Sequence, residues 1–181
     1  MTETLEAIRA RHACRSYSDE PVPAETLRTI AEAGLRAPSA MNRQPWRVIA
    51  VSNQGLIAEL EAAGSAALQA ADPAAHDRIK GRGGKLLYNC QALVIVAQQV
   101  GVEGFPASMD VGIVASHVSL AATSLGVDNV IAALPGFGLR GEGGAELASR
   151  LGVPEGFEFA ISILLGHAAG DPGTQHETDW S

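Results

Sequence analysis

A chain of 181 residues with 46% apolar residues, 4% aromatics and a formal charge of −7 has the length of one domain and enough apolar mass for a full core. The acidic balance argues against nucleic-acid phosphate or an anionic membrane surface as partner. The basic clusters (Arg9 to Arg15, Arg43 with Arg47, Arg78 to Lys85) lack the interleaved aromatics of a single-strand groove. Cys14 and Cys90 form no C-x-x-C pair, which points to a reducing compartment without a disulfide framework. Met1 to His12 has no apolar leader and no stretch reaches bilayer length, so a cytoplasmic soluble protein is expected.

In chain order, a first helix is predicted from about Thr4 to Arg11. A second starts at Pro23, which suits a first helical turn. Leu27, Ile30, Ala31 and Gly34 form its apolar stripe, and it must stop before Pro38. After the loop Ala37 to Pro45, Trp46 to Val51 reads as a strand. Gln54 to Ala71 is an Ala-rich helix broken at Asp72-Pro73, with a short charged piece ending at Gly81. Ala92 to Ala97 is a continuous apolar run, expected to be a strand buried on both faces. Asp110 to Leu125 reads as a helix buried almost all round and stopped at Gly126. Val127 to Leu134 is a third strand, Pro135 to Gly144 a glycine-rich loop, Glu146 to Leu151 a short helix, and Phe157 to Leu165 a fourth strand. Alternating strands and helices place helices over sheet faces, in one domain spanning residues 1–181.

The loop Ala37-Pro38-Ser39-Ala40-Met41-Asn42-Arg43-Gln44-Pro45-Trp46 offers donors and acceptors but no strong acid, base or nucleophile. Such groups suit a heteroaromatic ligand with carbonyl and imide edges, or else satisfy the loop's own backbone. Arg11-His12-Ala13-Cys14-Arg15 could converge on an anion if the helix ends near Arg11; otherwise its arginines are solvated. Two other patterns are read as decoys. Gly136-Phe137-Gly138-Leu139-Arg140-Gly141 matches G-x-G-x-x-G but sits in no nucleotide-binding half, and reads as a flexible turn. Gly83-Gly84-Lys85 lacks the rest of a P-loop. His76, His117 and His167 are isolated and suggest no metal site; His117, on an apolar helix, suits a core position.

Arg11 to Tyr17 with Pro21-Val22, then Ala37 to Trp46, Met109-Asp110-Val111-Gly112-Ile113, Leu151-Gly152-Val153-Pro154 and Leu165-Gly166-His167 together resemble the nitroreductase family, in the same order over nearly the whole chain. The resemblance implies an α+β fold with a central mixed β-sheet flanked by helices, in an intertwined homodimer with shared FMN sites. It further implies NADH or NADPH as reductant, and a small electron-poor acceptor reduced by a ping-pong mechanism. Flavin N5 would carry the chemistry, with no catalytic side chain. Arg11, His12, Ala13 and Arg15 would contact the phosphate, ribityl chain and pyrimidine edge. Pro38, Ser39, Ala40, Asn42 and Gln44 would reach the partner's flavin. Leu134, Pro135 and Gly136 would lie near N5, where only Gly136 of the Pro135-Gly136 pair has an N–H to donate. Ala13 replaces the serine of many relatives. No Lys or Arg follows Arg150, which leaves His176 as the cation of the tail and Lys85 or Arg82 as other candidates for a third phosphate contact. Two alternatives stay open. One is dehalogenation or flavin fragmentation on the same scaffold, which calls for a lid that only Ala71 to Lys85 could form. The other is a flavin-binding module without turnover.

Overall fold

The apolar run at Ala92 becomes a strand whose alternate side chains feed two separate cores. In the structure, a computed structural model that describes residues 2–80, 84–101 and 107–170, this strand is β2 (Ala92–Gln99). Leu93, Ile95 and Ala97 face one core; Ala92, Val94 and Val96 face the other. The expectation of burial on both faces therefore holds, because side chains alternate across a strand. Each fully buried aliphatic side chain contributes about 1.5 to 3 kcal/mol.

The other elements are α1 (Glu3–Ala10), α2 (Ala24–Gly34), β1 (Trp46–Val51), α3 (Gln54–Ala71), α4 (Pro73–Lys80), α5 (Ala107–Ser124), β3 (Asp128–Ala132), α6 (Gly136–Arg140), α7 (Gly144–Leu151) and β4 (Phe157–Gly166). Ile57, Leu60 and Leu68 of α3, with Leu147 and Leu151 of α7, cover one sheet face. Leu27 and Ile30 of α2, with Val111, Val114 and Val118 of α5, cover the other. α4 packs on α3 through His76, whose Nε2 lies 3.0 Å from Ser65 Oγ, and adds only eight residues to the surface.

The sheet order is β1-β2-β4-β3, and every pairing among the described residues is antiparallel. The expected mixed sheet is corrected on this point. Two helices, α3 and α4, separate β1 from β2 and return the chain to the end it left, so β2 runs back along β1. The single crossover α5 does leave β2 and β3 pointing the same way, but β4 inserts between them and pairs with both.

Two further expectations change. α5 is not buried all round: Met109 is 67% and Ile113 36% exposed. Its buried stripe runs through Val111, Val114, Ala115, Val118 and Ala122, and the opposite stripe is also partly apolar, so composition alone could not tell them apart. α1 likewise buries none of its residues and exposes Leu5 and Ile8. The second change concerns the G-x-G-x-x-G stretch, which is a packed helix rather than a flexible turn. A Cβ on Gly138 would stand 2.8 Å from Gly64 N, and one on Gly136 2.7 Å from the Phe159 ring. These glycines let α6 approach α3 and β4 closely; they do not cradle a phosphate.

Candidate functional site

Helix α1 stops at Ala10, and Arg11 leaves it in an extended conformation (φ −60°, ψ 121°). The chain is then strapped beside the start of β3 and the end of β4. Cys14 N donates to Asn129 O at 3.0 Å, Tyr17 N to Tyr88 O at 3.1 Å and Ala169 N to Ser16 O at 3.0 Å. Cys14 and Tyr17 are buried, while Arg15 is exposed and its guanidinium meets Ala13 O at 3.5 Å. Arg11 and Ala13 are half-buried. His12 Nδ1 lies 3.0 Å from Ala10 O, which can only accept, so Nδ1 carries a proton. His12 Nε2 is buried without a hydrogen-bond partner. It lies 3.5 Å from Asp128 Oδ1, without hydrogen-bond geometry. Asp128 Oδ2 accepts from Ala168 N at 2.9 Å.

Buried Asn129 holds this corner together. Its Nδ2 donates to Ser119 O and to Thr123 Oγ1, each at 3.1 Å, and its Oδ1 accepts from Ser119 Oγ. The network fixes the C-terminal half of α5 against β3, beneath the Arg11–Arg15 segment.

Lys85 joins the same end of the sheet. Glu61 of α3 accepts from Leu86 N at 2.8 Å and Leu87 N at 2.7 Å, and Tyr88 and Asn89 then turn through left-handed conformations (φ 53° and 64°). Lys85 Nζ donates to Asn89 Oδ1 at 2.8 Å. Asn89 Nδ2 in turn donates to Tyr17 O at 3.1 Å and Asp19 Oδ1 at 3.0 Å. Asn89 is a residue that the sequence reading missed; its only signal was its place four residues after Lys85 in an otherwise apolar stretch. Arg82 and His176 lie outside the described residues.

The Ala37–Trp46 loop is a strained platform. Met41, Asn42 and Gln44 all take positive φ, from 49° to 55°, a conformation that costs roughly 1 to 3 kcal/mol per non-glycine residue. The loop supports it locally: Gln44 N donates to Ser39 Oγ at 2.9 Å, and Gln44 Nε2 to Asn42 Oδ1 at 2.8 Å. Buried Asp110, at the start of α5, accepts from Ala40 N at 3.1 Å. Asn42 and Gln44 remain exposed, as does Pro38; Ser39 and Ala40 are half-buried.

These groups do not meet within one chain. The loop enters β1 at one edge of the sheet, whereas Arg11–Arg15 flank β3 at the other edge, three strand spacings or about 14 Å across the sheet and at the opposite end of its strands. The third predicted group, Leu134-Pro135-Gly136, follows β3. It sits about 16 Å along that strand from the Arg11–Arg15 end, at the end of the sheet where β1 begins. Leu134 is half-buried; Pro135 and Gly136 are buried. The Gly136 N–H donates to Ala133 O at 3.0 Å. The turn that winds Leu134 into α6 uses it.

Both thiols are inert by placement. Burial, opposed by a hydrogen bond with the Ser16 backbone, pushes the Cys14 thiol up, and burial drives Cys90 from 9.0 to about 12. Burial raises the Tyr17 phenol as well, and its OH donates to Leu164 O at 3.1 Å. A folded pKa above the unfolded value adds stability that is full below pH 9 and is lost as pH rises through the folded value. Native protein at pH 8 is therefore expected to leave both thiols unreacted with a disulfide reagent, and denatured protein to titrate two. Prompt labelling of native Cys90 would contradict its placement. His117 is half-buried, with Nδ1 2.9 Å from Ile113 O, rather than a core residue. Among the described residues no group of three His, Cys, Asp or Glu could hold a metal ion, and no helix is long and apolar enough to cross a membrane.

A family model described as the nitroreductase family matches residues 8–167. The crystal structure of a nitroreductase with bound FMN from Desulfitobacterium hafniense DCB-2 aligns with a TM-score of 0.93 and 42% identity, covering 99% of this chain and 95% of that one. A nitroreductase with bound FMN from Bacteroides fragilis NCTC 9343 aligns with a TM-score of 0.85 and 29% identity, covering 100% and 96%. A curated protein of Methanothermobacter thermautotrophicus, whose name pairs NADH dehydrogenase with NAD(P)H nitroreductase, is 29% identical over 175 residues, 96% of this chain and 81% of that protein.

Proposed function

Because the chain belongs to the nitroreductase family, we propose that it is an FMN-dependent oxidoreductase that uses NADH or NADPH to reduce an electron-poor acceptor of the nitroaromatic, quinone or enone type. The observation that carries the reading is the arrangement along β3. Arg11, Arg15 and the partnerless His12 Nε2 stand at one end, with Lys85 nearby. The close-packed Pro135-Gly136 turn stands about 16 Å away. That order fits an elongated ligand with an anionic terminus and a flat ring, so these residues fit FMN. When bound, FMN supplies the hydride-accepting and electron-donating chemistry. Arg11 and Arg15 bind its phosphate; the buried Pro135-Gly136 turn excludes water from one side of the ring. A single ring platform serves both substrates in turn, so turnover is ping-pong.

The same reading makes the protein a homodimer. Pro38, Ser39, Ala40, Asn42 and Gln44 stand too far from their own Arg11–Arg15 segment to complete its site, and they serve the site of the partner subunit. The exposed apolar side chains of α1 and α5 (Leu5, Ile8, Met109 and Ile113) supply the kind of surface an obligate interface covers, typically more than about 2,000 Å². Purified protein is expected to sediment as a dimer, to carry one FMN per chain, to bleach with NADH or NADPH under argon, and to give parallel initial-rate lines. Stoichiometric FMN on a monomer would remove the shared site; intersecting lines would remove the ping-pong order.

A further inference from the structure

Arg140 closes α6 with its guanidinium folded back toward the turn: a Cβ built on Gly136 would lie 3.5 Å from Arg140 Nη2. No hydrogen bond or ion pair engages this guanidinium among the described residues. It lines a cleft of about 420 Å³ whose walls include Val111 of α5, Ile131 of β3 and Phe159 of β4. The other charge in the cleft, Glu158, already accepts a hydrogen bond from Gln98 Nε2 at 2.7 Å. Glu158 keeps its negative charge there, and the group beside Gly136 that has no partner among the described residues is the planar, forked guanidinium of Arg140, with Val111, Ile131 and Phe159 also lining the cleft.

That combination suits one chemistry. A flat aromatic ring rests on the apolar walls while a carboxylate takes both arms of the guanidinium, as lysine's single ammonium cannot. The cleft lies near the lower end of the roughly 300 to 1,000 Å³ range of ligand sites, which favours a small acceptor over a whole dinucleotide. We propose that Arg140 is a specificity-determining residue that selects electron acceptors carrying a carboxylate and holds them beside Gly136. The proposal rests on the oxidoreductase reading above.

The test uses the FMN-loaded full chain with NADH and two acceptors of one shape, 4-nitrobenzoate and 4-nitrobenzamide, in wild type, Arg140→Gln and Arg140→Lys. The ratio of kcat/KM for the acid over the amide is expected to fall roughly tenfold in Arg140→Gln, the effect of one charge-assisted contact at an exposed site, and to fall less in Arg140→Lys. Calorimetric titration with benzoate, which is redox-inert, is expected to lose affinity by a similar factor. An unchanged ratio, or benzoate affinity that survives in Arg140→Gln, overturns the proposal. So does a loss confined to the rate of flavin reduction by NADH, which would place Arg140 on the nucleotide's phosphates. Wild-type protein that reduces neither acceptor overturns the oxidoreductase reading instead, and the benzoate titration still decides the role of Arg140.

Discussion

Replacing Arg15 or Arg11 with alanine is expected to weaken FMN binding by roughly tenfold to a hundredfold, while riboflavin binding hardly changes. A phosphate monoester carries about −1.5 to −2 charges near neutral pH, and each well-formed charge-assisted hydrogen bond to it is worth on the order of 1.5 to 3 kcal/mol. Arg15 is free to make one, since its recorded contact is a marginal 3.5 Å approach to Ala13 O. Arg11 stands where the chain leaves α1. Lys85, held to Asn89, gives partial cover for either loss, so the double Arg11→Ala, Arg15→Ala variant should lose more than either alone. Arg→Lys should fall between, because lysine keeps the charge without the fork. The measurement is fluorescence titration of apo-protein with both flavins. An equal loss for the two would move these arginines to the ring or ribityl chain; no loss for either would return them to the solvated surface.

Asn129→Leu is expected to destabilise the fold by about 2 to 3 kcal/mol, because a buried donor and acceptor vanish while their partners stay. Ser119 O keeps Thr123 Oγ1 as a donor at 3.0 Å, which limits the damage. Ser119 Oγ loses its acceptor inside the protein, where its residue has no exposed surface. The thermal midpoint should fall by roughly 5 to 10 °C for a chain of this size, compared at fixed protein concentration because association shifts it. Adding Ser119→Ala to Asn129→Leu should recover part of the loss, since removing both partners of a buried bond costs less than removing one. A double variant as unstable as the sum of the two single ones would locate the effect in packing rather than in the hydrogen bonds.

What could be read from the chain depended on how local its cause was. β1 and α3 run over the predicted residues, Trp46–Val51 and Gln54–Ala71, because each boundary is written locally. Asn53 caps α3 by accepting from Leu56 N at 3.1 Å, and Asp72-Pro73 breaks it. The short helix α6 was not legible, since glycine is a poor helix former and its reason for being there is Gly64, more than seventy residues earlier in the chain. The Arg11–Arg15 and Ala37–Trp46 motifs were visible as sequence, and the structure places them at opposite sheet edges. The committed Gly136 N–H, the Asn89 bridge from Lys85 to Tyr17 and the guanidinium beside Gly136 all come from tertiary approach, which residue spacing does not encode.

The strand order carries a consequence for how the molecule is made. β4 is the last strand of the described residues, yet it lies in the interior of the sheet and joins β3 to the β1–β2 pair. Until Gly166 clears the ribosome, the nascent chain can close only the β1–β2 pair; β3 has no neighbour, and β2 presents an open backbone edge. Closure of the sheet should therefore wait for β4. Such non-local pairing is slow and leaves apolar strand edges uncovered for a time. Nascent chains stalled before Phe157 should stay protease-sensitive, and those extended well beyond Gly166 should become resistant in a single step.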